Sequence, residues 1–289
     1  MALKEATWDM PGGNFAFEDN FDGDAWIEWV DTYLWYFGIP ITVLYVVLVY
    51  IGRSVMASRE PFSLRGPLFV WNVSLALFSI IGAYRDCPVM INAVYRDGWH
   101  SSICNNTYFQ AKYRLIWGLI FSFSKVPELI DTLFIVLRKQ KLIFLHWYHH
   151  AAVVTFAMYE FSGGSEIARW FSFMNFSVHS LMYSYYAIRA AGYRLPKPIA
   201  MSITLSQIIQ MIMGCYFVFY ALVMKLSGEP CDITPGRLTY AMIMYVTFGV
   251  LFINFFIQSY LKPRPKASQV NNNIIHPILP ETTSKVKSS

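Results

Sequence analysis

Three histidines stand within five residues in His146-Trp147-Tyr148-His149-His150. Positions three and four apart share a helical face, so on a helix they form one imidazole patch. The same spacing groups Asn175, His179, Met182, Tyr183 and Tyr186, and it aligns Lys125, Glu128 and Thr132 with Asp131 close to the stripe. Thr204, Gln207 and Gln210 form a fourth set. Such groups suit acyl transfer. A histidine in a water-poor cavity acts as general base or nucleophile, while a carboxylate such as Asp131 or Glu128 fixes its tautomer and stabilises the imidazolium. Tyr183, Tyr186, Gln207 or Asn175 can donate hydrogen bonds to a developing oxyanion. A thiol nucleophile is disfavoured, because Cys215, the nearest cysteine, falls about two helical turns beyond Gln207.

Metal binding is the competing chemistry, since neutral imidazole is a common ligand. Of six histidines, His100 and His276 fall in a loop and in the tail. The remaining four, His146, His149, His150 and His179, are fewer than the several boxes of membrane desaturases and hydroxylases, which bind two irons. A single zinc stays open. For Thr204, Gln207 and Gln210, hydrogen bonding that only orients helices is an equal reading, worth about 0.6 kcal/mol per bond in membranes.

The elements that must position these groups are membrane helices. The 289-residue chain is 55% hydrophobic, 18% aromatic and only 14% charged, against roughly 25% charged in soluble domains. Its net charge of +5 is small and its basic residues cluster at the ends of apolar runs. Water-soluble globules, disordered chains and nucleic-acid binders are excluded. A crossing helix needs about 20 mostly apolar residues, and runs occur near 33–52, 67–84, 115–137, 142–160, 170–189, 199–224 and 238–261. The expected fold is therefore all-α, a polytopic membrane protein of seven transmembrane helices. The third run is broken chemically by Pro127, which cannot donate to the carbonyl of Phe123 and can bend the span.

Fourteen Lys and Arg residues fall on one side of this topology and eight on the other, which favours an outside N-terminus and a cytosolic C-terminus. Counted from the cytosolic ends, His146–His150 lie roughly 6–12 Å deep, Asp131 about 9 Å, His179 about 15 Å and Thr204–Gln210 about 8–17 Å. All four polar sets thus fall in one layer. Residues 1–32 form an acidic N-terminal segment with no basic leader, so no cleaved signal is expected; 33–261 form the membrane domain, and 262–289 a tail too polar to bury.

That tail carries Lys285 and Lys287 at the positions of a dilysine retrieval signal, an address read in the cytosol. Cys104 and Cys231 fall in two loops on the lumenal side, where a disulfide can form, and are the expected pair. Asn105-Asn106-Thr107 is a sequon in the first of these loops, which makes Asn105 a glycosylation candidate.

Four motifs occur in order: Lys125-x-Pro-Glu128-x-x-Asp131-Thr, His146-x-x-His149-His150, His179-x-x-Met-Tyr183-x-Tyr-Tyr186 and Thr204-x-x-Gln207-x-x-Gln210. Together they resemble the very-long-chain fatty acid elongases of the endoplasmic reticulum, over residues 30 to 262. The resemblance implies a 3-oxoacyl-CoA synthase that condenses long-chain acyl-CoA with malonyl-CoA, releasing carbon dioxide and using no cofactor or metal. It implies His149 as nucleophile through an acyl-imidazole, with His179 or His150 as base or oxyanion partner. It also implies an acyl tunnel between the helices, and the reductases and dehydratase of the elongation cycle as partners. Trp147 and Tyr148 inside the box look like the branch that acts on saturated and monounsaturated chains of palmitate length. Arg138, Lys139, Lys141, Arg189, Arg194 and Lys197 could meet coenzyme A phosphates, although the positive-inside bias alone explains basic residues there. Two rivals remain: a di-iron or zinc lipid-modifying enzyme, and a seven-helix receptor, for which the Arg138–Lys141 loop is very short.

Overall fold

The computed structural model describes residues 15–105, 112–164 and 166–262. Six of the seven apolar runs expected to be helical lie in single helices, the run 115–137 is split in two, and no strand occurs among the described residues. The order is α1 (Ala16–Asp19), α2 (Gly23–Ala57), α3 (Arg65–Asn92), α4 (Gly98–Cys104), α5 (Lys112–Ser124), α6 (Ile130–Leu137), α7 (Phe144–Ser162), α8 (Glu166–Ala190), α9 (Lys197–Leu226) and α10 (Pro235–Phe256). A π-helical turn, Ala93–Asp97, joins α3 to α4, and another, Ile257–Leu261, extends α10. Lys285, Lys287 and two residues of the sequon, Asn106 and Thr107, lie outside the described residues.

By length and composition four segments can cross a membrane: Gly23–Ala57, Arg65–Cys104, Lys197–Leu226 and Pro235–Leu261. The expected count was seven. The other three runs differ for physical reasons. One is interrupted at Pro127, while α7 and α8 carry histidines, Glu160, Arg169 and Asn175, which dilute their apolar character. On the four long helices, Leu44, Leu48, Leu77, Ile80, Ile212, Phe219, Val246 and Val250 are all exposed. Apolar surface on that scale is compatible with lipid and not with water.

Two boundaries differ from expectation. The first long helix begins at Gly23 rather than near residue 33, capped by Asp22, whose side chain accepts from Ala25 N at 3.1 Å. The second continues past residue 84, so Arg85 is a buried helical residue, not a loop cation. Its charge is met by Glu18 of α1, which also accepts from Trp117 Nε1 at 2.7 Å. Part of the acidic N-terminal segment is thereby packed into the bundle.

Helix α3 runs along α8, and α9 along α10. Two glycines make these approaches possible. A Cβ on Gly82 would stand 2.6 Å from the Phe176 ring, and one on Gly214 would overlap Tyr245. The largest buried apolar cluster joins α7, α8, α9 and α10 through residues such as Phe156, Phe171, Phe217 and Phe248. Cys104, at the end of α4, is paired with Cys231 of the α9–α10 connection, Cα atoms 4.4 Å apart.

Candidate active site

The break at Pro127 shapes the site. Without an amide hydrogen there, the Phe123 carbonyl is taken by Val126 N at 3.1 Å, and Pro127–Leu129 form one 3₁₀ turn before α6 begins. The stripe expected from Lys125 to Thr132 is consequently divided between two sets of partners. Upstream, Lys125 Nζ donates to Glu128 Oε1 at 2.7 Å and to Asn175 Oδ1 at 2.9 Å. Asn175 Nδ2 is 3.1 Å from His179 Nε2, and His179 Nδ1 is 4.0 Å from Glu128 Oε2. Downstream, Asp131 accepts from Trp71 Nε1 at 2.6 Å and from Tyr183 OH at 2.8 Å, and stands 4.0 Å from His150 Nε2. Thr132 Oγ1 bridges Tyr45 OH at 2.7 Å and His146 Nε2 at 3.0 Å.

The imidazoles of α7 do form one patch. The ring centroids of His146 and His150 are 4.4 Å apart, and those of His149 and His150 are 5.5 Å apart. His149 leans on Phe248 of α10, with centroids 4.9 Å apart. Among the described residues, His146 is held by Thr132 and His179 by Asn175, while no side chain hydrogen-bonds His149.

A cavity of about 610 Å³ opens beside this patch, within the range of small-molecule sites. It brings together His146, His149, His150, Asp131, Asn175, His179, Tyr183, Tyr186, Gln207 and Gln210. Most of the polar layer expected from helix depths lines this cavity, while Lys125 lines an adjoining one and Glu128 and Thr132 line neither. Gln207 donates to Met182 Sδ at 3.3 Å, and Thr204 Oγ1 is 3.3 Å from Tyr260 OH. A second, narrower cavity of about 90 Å³ runs between α3, α5, α7 and α8. His149, Asn175, Gln210 and Met211 line both, so the two cavities meet at His149.

Basic residues line the opposite end of the wide cavity: Arg65, Arg138, Arg189, Arg194, Lys197 and Lys262. Burial and the neighbouring Arg65 guanidinium hold the Arg138 pKa below its ordinary value, as expected where two cations face a space that would suit an anion. Lys139 is used differently. Its backbone takes a positive φ of 52°, and its ammonium donates to the carbonyls of Ala57 and Arg59 at 3.2 and 3.0 Å. That lysine and Lys141 do not line the cavity.

Sequence reasoning missed Trp71, Tyr45, Arg65 and Lys262 as site residues. The two aromatics sit in apolar runs, where nothing in the spacing separates a lipid-facing ring from one that holds a carboxylate. Among the described residues, no group of three or more His, Cys, Asp or Glu side chains converges on a metal position.

The sequence profile of the GNS1/SUR4 family, ELO, matches residues 30–268. The chain is 39% identical over 257 residues to very long chain fatty acid elongase 6 of Gallus gallus, covering 89% of this chain and 96% of that one. It is 40% identical over 258 residues to elongase 6 of Mus musculus, with 88% and 96% coverage. It is also 40% identical over 271 residues to elongase 6 of Drosophila melanogaster, with 90% and 85% coverage. A family profile spanning most of the chain, and relatives this similar over nearly their whole length, mean that the chain belongs to the ELO family of fatty acid elongases.

Proposed function

We propose that the protein is a 3-oxoacyl-CoA synthase that condenses a long-chain acyl-CoA with malonyl-CoA as the first step of fatty acid elongation. The observation that carries this reading is the position of His149. It stands where the wide, basic-ended cavity meets the narrow, largely apolar one, so a thioester carbonyl beside it would have coenzyme A on one side and the acyl tail on the other.

In the proposed scheme a ring nitrogen of His149 attacks the thioester carbonyl and coenzyme A leaves as a thiolate. A neighbouring base, His179 or His150, takes the imidazole proton, which leaves an acyl-imidazole. Malonyl-CoA then loses carbon dioxide, and the resulting carbanion attacks the acyl-imidazole to give the 3-oxoacyl-CoA and return the imidazole. The Lys125–Glu128–Asn175 chain orients His179, and Asp131 stands ready to stabilise charge on His150. Tyr186, Gln207 and Gln210 are the proposed donors to the oxyanion, because the single Tyr183 hydroxyl proton is already donated to Asp131. The narrow arm excludes water from the intermediate. Arg65, Arg138, Arg189 and Lys262 would meet the phosphates of coenzyme A. The scheme needs no cofactor and no metal.

The setting belongs to the same proposal: seven crossings in the endoplasmic reticulum membrane, an N-terminus in the lumen and a cytosolic tail whose Lys285 and Lys287 act as a retrieval signal. The Cys104–Cys231 bridge and glycosylation at Asn105 would then lie on the lumenal side. The reductases and dehydratase of the cycle would be partners, and the box residues Trp147 and Tyr148 favour saturated and monounsaturated substrates of palmitate length.

The test is incubation of purified protein in detergent with palmitoyl-CoA and labelled malonyl-CoA. The expected product is two carbons longer and carries a 3-oxo group. His149→Ala should form none while remaining folded; retained turnover removes His149 from the nucleophile role. Stoichiometric iron, or loss of activity on chelation, would overturn the metal-free scheme in favour of a metal-dependent lipid-modifying enzyme.

A further inference from the structure

The narrow cavity does not end in apolar side chains. On α7, His149, Val153, Phe156, Ala157 and Glu160 line it in sequence along one helical stripe. At the end remote from His149, its walls are Glu160, Asp86, Arg85 and Arg169. An arm built only to hold a hydrocarbon would be expected to finish in groups like those that line its middle. Burying charged groups there is costly in a membrane protein, and such residues usually mark a binding or transfer role.

Within this group Glu160 stands out. It is 3% exposed, and among the described residues neither carboxylate oxygen has a hydrogen-bond partner. Arg237 acts on Glu160 through space without a hydrogen bond, and the other neighbouring charges have partners of their own. Arg85 pairs with Glu18, Asp86 accepts from Ser172 Oγ at 3.1 Å, and Arg237 donates to Ser162 Oγ at 3.1 Å while lying over the Tyr159 ring. Two acceptor oxygens are therefore held at the end of the arm with no hydrogen bond to accept among the described residues. A buried acceptor left unmatched is destabilising, which makes it a strong selector for a donor.

The donor must reach that point through the apolar arm, so it must be small and uncharged. A carboxylate would face Glu160 and Asp86 beside cations that Glu18, Asp86 and Ser162 already engage, and an ammonium would lose its hydration along the way. A hydroxyl on the far end of an alkyl chain meets both conditions. We propose that the Glu160 end of the narrow cavity is a subsite for a terminal hydroxyl, and that thioesters of ω-hydroxy fatty acids are a substrate class of this protein. The inference rests on the condensation reading above.

Geometry sets the chain length. Eleven residues separate His149 from Glu160, a rise of about 16.5 Å. With a C–C bond of about 1.5 Å and an angle near 111°, an extended chain advances about 1.25 Å per carbon. About thirteen carbons then span the arm, so a hydroxyl on carbon 14 falls beside Glu160.

The experiment compares kcat/KM for 14-hydroxytetradecanoyl-CoA and tetradecanoyl-CoA, with malonyl-CoA and the full-length protein in detergent. An apolar end would disfavour the hydroxylated substrate by about tenfold or more. The expected result is a ratio of one or above, falling about tenfold in Glu160→Leu and less in Glu160→Gln, which keeps a carbonyl acceptor. A ratio below one tenth in the unaltered protein, or one that Glu160→Leu does not move, overturns the proposal. Should Glu160→Leu fail to fold, moving the hydroxyl to carbon 10 makes the same comparison. That group would face Phe156 and Ala157 and should be turned over at least tenfold less well, and equal turnover overturns the proposal. Thermal stabilisation by free 14-hydroxytetradecanoate against tetradecanoate separates the two readings. Stronger stabilisation by the hydroxy acid without turnover of either thioester would sink the condensation reading and keep the subsite. Weaker stabilisation would sink the subsite alone.

Discussion

Lys125 and Glu128 are 3% and 2% exposed and joined at 2.7 Å, which makes them a sharp probe of how the site is held. In Lys125→Met the ammonium and both its hydrogen bonds disappear. Glu128 Oε2 already has no hydrogen-bond partner, and Oε1 would keep only Ser124 Oγ at 3.2 Å. A carboxylate left so poorly matched in a buried position costs about 3–5 kcal/mol. Glu128→Gln is milder. Its amide oxygen can still accept from Lys125, and Lys125 keeps Asn175, so the expected loss is that of a charge-assisted hydrogen bond, about 1.5–3 kcal/mol.

The double variant removes both charges and leaves neither group stranded. It should lie nearer the unaltered protein than Lys125→Met does, with a coupling energy of about 2 kcal/mol or more between the two sites. Unfolding by sodium dodecyl sulfate in mixed micelles, followed by tryptophan fluorescence, measures the cycle. Turnover should not recover along with stability, because Lys125 also holds Asn175 against His179 and Glu128 faces the other nitrogen of that ring. If the two single effects add within about 0.5 kcal/mol, the pair is not energetically coupled and the reasoning fails. If the double variant regains activity, the chain from Lys125 to His179 is not a positioning device.

Trp71→Phe keeps an aromatic ring and deletes the indole donor to Asp131. A charge-assisted hydrogen bond worth about 1.5–3 kcal/mol should appear as a kcat lowered about tenfold or more with KM little changed, and an unchanged kcat would remove Trp71 from the site. Arg65→Ala and Arg138→Ala should each raise KM for acyl-CoA several-fold, with the difference from the unaltered protein shrinking as salt screens the phosphates. A KM insensitive to both substitutions would place coenzyme A elsewhere. Non-reducing peptide mapping should recover Cys104 linked to Cys231, and two alkylatable thiols would refute the bridge.

Much of the layer around His149 could be read from spacing. Intervals of three and four residues group the histidines of α7 and the polar face of α8, and the helical rise puts Asp131, His179 and Gln207 at similar depth. Groups that meet across helices were harder to see. Within a bilayer an apolar side chain suits the lipid face and the protein interior equally well, so the periodicity that reveals the inner face of a soluble helix is weak here. Trp71, Tyr45 and Phe248 were invisible for that reason. Glu18 and Arg85 lie 67 residues apart, and no local pattern announces such a pair. Lys139 looks like its basic neighbours in the sequence, and only its hydrogen bonds to the Ala57 and Arg59 carbonyls show that it clamps them instead.

Pro127 turned one expected stripe into two anchoring chains, and this division bears on catalysis. A nucleophile must be free to meet its substrate, whereas the groups around it must not drift. Lys125, before the break, holds Asn175, and Glu128, within the turn, faces His179. Downstream, Asp131 faces His150, and Thr132 ties Tyr45 to His146. After the 3₁₀ turn Asp131 meets Trp71 of α3 and Tyr183 of α8, and Thr132 meets Tyr45 of α2 and His146 of α7, while Lys125 before it meets Asn175 of α8. His149 lies between the two anchored groups with its ring supported only by aromatic packing, the arrangement that suits a ring due to form and break a covalent bond.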